Sequence, residues 1–345
     1  MKNKLVNDIS NTMRSIMSKI NFDPSKVKII QCVAAHNEED WVSYPILSTY
    51  HEVDKIIVVE GAVKGRPNST EDGNSTDKTL DVIRSIPDPD EKIELITKDD
   101  FWRDLEEQKQ VFLDRASQLQ NEHPDWSIWL YIADSDEVMN PNDIKRLRKA
   151  IEIKPYASEF VPTFLHFWRD FKHVRRPEEK WNILHQRFFK YQSGMVYKTH
   201  PMATDASGRD TCLDGSYQSF RFQIPDLYIY HYGNIKSVTF QKEKAEFYKS
   251  ELKKYGADEE SKNKFVEFRD YTENDNDILE FDGEHPVSIR CHPLFKQEDE
   301  VLKKKKHDNW ENNLFYSGVP LPLIFTWYYR RPQEVWPINP LEVKL

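Results

Sequence analysis

Two carboxylates one position apart, Asp134 and Asp136, close the stretch SIWLYIADSDEV, and Glu137 follows them directly. A short apolar run of this kind reads as a buried strand. Residues two apart on an extended strand share a face. Two carboxylates on one face are a hard-oxygen site for Mg²⁺ or Mn²⁺, and such an ion keeps coordination places open for diphosphate oxygens and water. The tripeptide alone says little, because Asp-x-Asp occurs at Asp88/Asp90, Asp134/Asp136 and Asp275/Asp277. Only the middle pair follows a strand, which in a parallel α/β sheet puts it where ligands bind, outside the carboxyl ends of the strands. A calcium EF loop over DSDEVMNPND would need an oxygen ligand at position 5 and Gly at position 6, where Val138 and Met139 stand. The plain structural alternative has both aspartates cap the turn into a helix after Pro141.

Such a pair is aimed by a sheet, and residues 27 to 150 alternate apolar runs with amphipathic stretches in the pattern of βαβ units. The runs are Val27 to Ala34, Lys55 to Val59, Lys92 to Ile96 and Ile128 to Ala133. Between them the spacing predicts helices over Glu38 to Thr49, Thr76 to Ile86 and Leu105 to Leu119, with another over Asp143 to Ile153. Neither a GxGxxG fingerprint nor a P-loop is present. Beyond residue 155, aromatic-rich strands are expected at Glu159 to Trp168, Arg187 to Tyr191 and Asp226 to Tyr232, extending the sheet in mixed fashion. Residues 241 to 270 are charged and helical in pattern, and Glu273 to Asp282 read as a loop.

The chain has 345 residues, with 49 Lys and Arg against 58 Asp and Glu, for a formal charge of −9. That excludes a protein that coats nucleic acid through basic residues facing phosphates. Ten glycines and 44 Trp, Tyr and Phe exclude low-complexity and collagen-like chains. The longest apolar candidate, Val319 to Tyr329, is interrupted by Pro320 and Pro322, so no transmembrane segment is expected. The N-terminus lacks the form of a secretory signal, and Leu5, Ile9, Met13, Ile16 and Ile20 instead predict an amphipathic helix over residues 1 to 22. Cys32, Cys212 and Cys291 form no disulfide framework, which suits a reducing, cytoplasmic compartment. The N-terminal stripe and the basic run Lys303 to Lys306 leave peripheral membrane contact as the alternative to packing on the body of the protein.

Taken in order, a strand ending in AAHNEEDWV, a strand ending in IIVVEGA, the helix start GNSTDKTLDVI and the strand ending in ADSDE resemble the GT-A-fold glycosyltransferases, especially those similar to family 2. The resemblance covers residues 27 to 150. It implies an α/β, Rossmann-like mixed and mostly parallel sheet flanked by helices. Residues 23 to 150 would be its nucleotide-sugar half, 151 to 240 its acceptor half and 241 to 345 a helical and irregular extension. It also implies metal-dependent transfer of a sugar from a UDP or GDP donor to a saccharide, lipid-linked or protein acceptor. Ala35, His36, Asn37 and Glu38 would line the nucleotide, and Asp77, Lys109, Asp134 and Ser135 would join them. Glu60 stands where the family usually has an Asp that contacts base or ribose. An insertion, Ala62 to Glu71, separates Glu60 from Gly73 to Asp77, as a lid, an acceptor element or a longer loop. Arg115 is the rival of Lys109 as the basic residue ahead of the metal motif.

With Asp134 and Asp136 as metal ligands, the family's third ligand would be His231 in LYIYHYGN, with His200 and His185 as rivals. For a general base the preference is Asp214 in CLDGS over Asp205 and Glu179, and a retaining enzyme would need none. FLHFWRDF and Trp181 are either sugar-stacking platforms or core. A bound Mn²⁺ or Mg²⁺ would reverse the local field, so an acidic protein can hold a polyanionic donor. Two other classes remain open at this stage. One is a non-catalytic carbohydrate- or nucleotide-binding protein on the same scaffold. The other is a nucleotidyltransferase, against which the lack of a Gly-rich triphosphate loop near the first strand speaks.

Overall fold

Residues 22–175, 186–199, 202–204, 221–254, 278–296 and 336–337 are described by the computed structural model of the protein. Four strands run parallel: β1 (Val27–Ala35), β2 (Lys55–Glu60), β3 (Ile93–Ile96) and β4 (Ser127–Asp134), ordered β3-β2-β1-β4. Their side chains alternate between two cores, as a sheet covered on both faces requires. Ile29, Val33, Ile56, Val58, Trp129 and Tyr131 point to one core, and Ile30, Cys32, Ile57, Val59, Leu130 and Ile132 to the other. α1 (Ser43–Thr49), α2 (Thr79–Ser85) and α4 (Pro141–Ile153) feed the first core, and α3 (Leu105–Glu122) feeds the second. The register fixes the site. Ala34 pairs with Asp134 and Ala35 with Glu60, so β1, β2 and β4 end together on one edge.

Beyond β4 come β5 (Glu137–Met139), β6 (Glu159–Trp168), β7 (His173–Arg175) and β8 (Phe188–Lys190). β8 lies antiparallel between β4 and β6, which makes β6 run the same way as β4. β9 (Val196–Thr199) and β10 (Met202–Thr204) form a separate hairpin. β11 (Arg221–Asn234) runs parallel to β6, and β5 folds back antiparallel on β11. With β12 (Ile278–Glu280) and β13 (Trp336–Pro337), eleven strands of the described residues belong to one mixed, mostly parallel sheet. α5 (Val238–Lys254) follows β11 directly. No helix among the described residues is long and apolar enough to cross a membrane.

The predicted strands are all present, and two helices start later than their periodicity suggests. α1 begins at Ser43 rather than Glu38, because the N–H groups of Asn37, Glu38 and Glu39 donate to Ser75 Oγ (2.8 Å), Thr79 Oγ1 (2.6 Å) and Asp77 Oδ2 (3.1 Å). α2 begins at Thr79 rather than Thr76, because Asp77 Oδ1 accepts the Thr79 N–H at 2.9 Å ahead of the first turn. The helix expected over residues 1 to 22 lies outside the described residues except at its last position.

Candidate functional site

β4 does not stay extended through its acidic end. Ser135 and Asp136 make a turn into β5, and the turn sends the two aspartates to different partners. Asp134 keeps 42 % of its side chain exposed and faces Lys109 Nζ at 3.5 Å and Arg187 Nη2 at 2.9 Å. Asp136 is buried and meets Lys236 Nζ at 2.7 Å. Lys236 also donates to both oxygens of Glu38 at 2.6 Å, tying the loop after β1 to the turn after β11. Burial alone would raise the Asp136 carboxyl, but Lys236, Lys244 and His231 outweigh it and hold the group well below the usual carboxylate range. Glu137 is the opposite case. Burial pushes its carboxyl up to about 7 even though Arg187 Nη2 donates to it at 2.6 Å.

One cleft on the carboxyl edge of β1 and β4 gathers Ala35, His36, Glu38, Lys109, Asp134, Ser135 and Asp136 from three separate stretches of sequence. Arg66 and Lys244 join them from the insertion and from α5. Lys244 Nζ lies 4.0 Å from Asp136 Oδ2. The insertion is held over the cleft by Asn68, whose Nδ2 donates to Glu243 of α5 at 3.0 Å, and by Arg66, which stacks on the Phe247 ring at 4.8 Å. His36 lies against Ser69 Oγ at 3.1 Å, and burial pushes its ring down to about 4, so it is neutral at pH 7.

Other expected residues are placed elsewhere. Glu60 is fully buried; its Oε1 accepts from Ser75 N at 2.9 Å and Ser75 Oγ at 2.5 Å, and it is not on the cleft wall. Asp77 organises the start of α2, as above. Arg115 pairs with Glu94 at 2.7 Å, whereas Lys109 lines the cleft. Phe164, Phe167, Trp168 and Phe171 are at most 1 % exposed, so the FLHFWRDF segment is core rather than a sugar platform. Asp88 accepts from Tyr50 Oη and from the Lys92 and Ile93 N–H groups, which makes that Asp-x-Asp a turn cap. Asp214, Asp205, Glu179, His185, His200, Trp181 and Asp275/Asp277 lie outside the described residues. Arg187, Lys236 and Lys244 were not among the expected site residues, since each reads in the sequence as an ordinary solvated charge.

Among the described residues, no group of three or more His, Cys, Asp or Glu side chains surrounds a common point suited to an ion. Two such side chains do face one. Asp136 Oδ1 is buried without a hydrogen-bond partner, and His231 Nε2 stands 3.6 Å from it. Gly233 keeps the space beside them open, because a Cβ there would lie 2.6 Å from His231 Nε2 and 3.0 Å from Asp136 Oδ2. Burial pushes the His231 ring down to about 4 against the pull of Asp136, leaving it neutral as a metal ligand must be. With these two side chains as its protein ligands, a divalent cation would take its remaining ligands from outside the protein. Asp134 is turned away towards Lys109 and Arg187.

No family model and no curated protein matches the chain. Solved structures of S. aureus TarS are similar to it. The 1–349 fragment has a TM-score of 0.30 and 12% identity, covering 48% of this chain and 47% of that one. A second TarS structure has a TM-score of 0.32 and 15% identity, covering 48% and 28%. The 1–349 fragment in complex with UDP-GlcNAc has a TM-score of 0.29 and 16% identity, covering 44% and 40%. The chain thus spans less than half the length of each of these structures. The fold class rests on the strand order and register given above.

Proposed function

We propose that the protein is a glycosyltransferase that moves a sugar from a nucleoside diphosphate, UDP or GDP, to a saccharide, lipid-linked or protein acceptor. The observation that carries this reading is the cleft itself. The turn from Asp134 to Asp136, the loop after β1 and three cations from elsewhere in the chain converge on the ligand-binding edge of the sheet. Asp136 and His231 would hold Mn²⁺ or Mg²⁺. When bound, the ion would act as a Lewis acid for the charge that develops on the departing diphosphate. Lys244 and Arg66 stand at the mouth to meet further phosphate charge. Asp134, flanked by Lys109 and Arg187, would accept from ribose or sugar hydroxyls. Lys236 fixes Asp136 so that Oδ2 is engaged and Oδ1 faces the ion site.

The test is a thermal-shift panel of UDP, GDP, CMP and dTDP with and without Mn²⁺. A matching nucleotide at about a hundredfold excess over its Kd adds about 2.7 kcal/mol, a shift of about 5 °C for a domain of this size. UDP or GDP with Mn²⁺ is expected to give it, with the shift lost in Asp136→Ala. The matching sugar donor should then release nucleoside diphosphate. If no nucleotide shifts the melting of the folded protein, the reading is wrong. Binding without release from any donor would instead favour a non-catalytic binding protein.

A further inference from the structure

β6 and β11 place two histidines side by side. His166 and His231 are direct register partners in the parallel pair. Their rings stand at 87° with centroids 4.9 Å apart, and the two Nδ1 atoms are 2.8 Å apart. The alignment depends on an irregularity in β11. At the start of the pair Arg221 faces Glu159, and at that offset His166 would face Tyr228. Extra residues between Gln223 and Tyr228, with Asp226 at φ 56°, shift the register and bring His231 alongside instead. His166 is almost fully buried and its ring stacks on Phe164 at 5.3 Å and 16°, which holds the ring plane.

Two imidazoles that meet Nδ1 to Nδ1 at hydrogen-bond distance share one proton there, so one ring must be Nδ1–H and the other must present a bare Nδ1. If His166 carried that proton, His231 would be protonated on Nε2 and would aim the N–H at Asp136 Oδ1. The 3.6 Å separation is too long for that hydrogen bond, and Oδ1 has no partner. If His231 carries the proton, its Nε2 lone pair faces an unpartnered carboxylate oxygen, and two acceptors turned to one point are arranged for a cation between them. We propose that His166 is the positioning residue that holds His231 as the Nδ1–H tautomer and so directs the Nε2 lone pair at a divalent cation shared with Asp136. This rests on the ion site of the preceding section. It adds what aims the ligand, in the manner of outer-shell acceptors that orient metal-bound histidines.

The first readout needs no metal. In ¹⁵N spectra of metal-free protein labelled at histidine, with His231 assigned by comparison with His231→Asn, the His231 signals should be those of an Nδ1–H imidazole. An Nε2–H signature overturns the proposal. The second readout is Mn²⁺ binding followed by EPR, with Mn²⁺ alone and with UDP added. His166→Asn can still accept from Nδ1–H and should bind within about threefold of the wild type, whereas His166→Leu should bind about 10- to 100-fold more weakly. If the Leu variant does not fold, the Asn variant and the wild-type spectrum still decide the matter. Mn²⁺ binding that is lost in Asp136→Asn but unchanged in His166→Leu overturns the role of His166 and leaves the donor site standing. A wild type that takes up no Mn²⁺ with UDP present overturns the ion site and this proposal together, and UDP binding without Mn²⁺ would then keep the donor reading alive.

Discussion

Lys109 shows how a single side chain separates function from stability. It is almost fully buried on α3, and among the described residues its Nζ has no hydrogen-bond partner and its one charge contact is Asp134 Oδ1 at 3.5 Å. A buried ammonium without hydrogen bonds costs stability. Such a group makes sense if ligand oxygens complete its shell. Lys109→Met is therefore expected to melt no lower than the wild type while the Kd for the bound nucleotide rises about tenfold, or about 1.4 kcal/mol. Titration calorimetry and a melting curve on the same sample check both halves, and a destabilised variant with unchanged affinity would make Lys109 purely structural. That Lys109, Asp134 and Asp136 come together, with His231 beside Asp136, was legible in the sequence because each sits at a strand end or on a helix next to a recognisable motif. Lys236 was not legible, because its partner Glu38 is 198 residues away in the chain and neither residue alone differs from a surface charge. Glu60 also stands at a strand end, as expected, but Ser75, delivered by the return of the insertion, engages its Oε1 inside the protein.

At the scale of elements, short continuous apolar runs over β1, β2 and β4 marked the strands, and turn residues marked their ends. What periodicity could not carry was competition from side chains for backbone N–H groups, from about forty positions away ahead of α1 and from Asp77 ahead of α2, which is why both start late. Nor could it carry the register of β6 against β11, because that pairing joins segments about 65 residues apart through an irregularity. The pair is pinned at its other end by Arg221 and Glu159, register partners that are both buried and joined Nε to Oε2 at 2.7 Å and Nη2 to Oε1 at 3.1 Å. Removing one partner of a buried ion pair strands the other, at about 3–5 kcal/mol, whereas replacing both by apolar groups of similar size is often neutral or stabilising. Arg221→Met should thus lower the urea midpoint strongly, and Arg221→Met with Glu159→Leu should recover most of the loss. Equal loss in the single and double variants would mean that the pair does more than satisfy itself. Because the same two strands carry His166 and His231, the single variant should also weaken Mn²⁺ binding where the double variant restores it.

For the whole molecule the relevant quantity is the contrast between a net charge of −9 and a cleft of the other sign. Arg66, Lys109 and Lys244 line it with Glu38, Asp134 and Asp136, and Arg187 and Lys236 pair with these acids and with Glu137 beside it, so five cations stand against four carboxylates, of which burial raises the Glu137 carboxyl. The two fields act on an anionic donor with opposite signs and over different ranges. Groups in the cleft touch the ligand, whereas the net charge belongs to the whole molecule and is screened over a Debye length of about 10 Å at 0.1 M salt. Salt therefore discriminates between them. If the net charge governs, screening relieves repulsion and nucleotide affinity rises with salt; if the cleft governs, screening weakens attraction and affinity falls. With Mn²⁺ saturating and pH fixed, the Kd for the nucleotide is expected to rise about threefold or more between 50 and 500 mM KCl. Titration calorimetry at the two salt concentrations measures it. A Kd that falls over that range would show that the acidic surface, not the cations gathered on the sheet edge, sets how this protein meets its ligand.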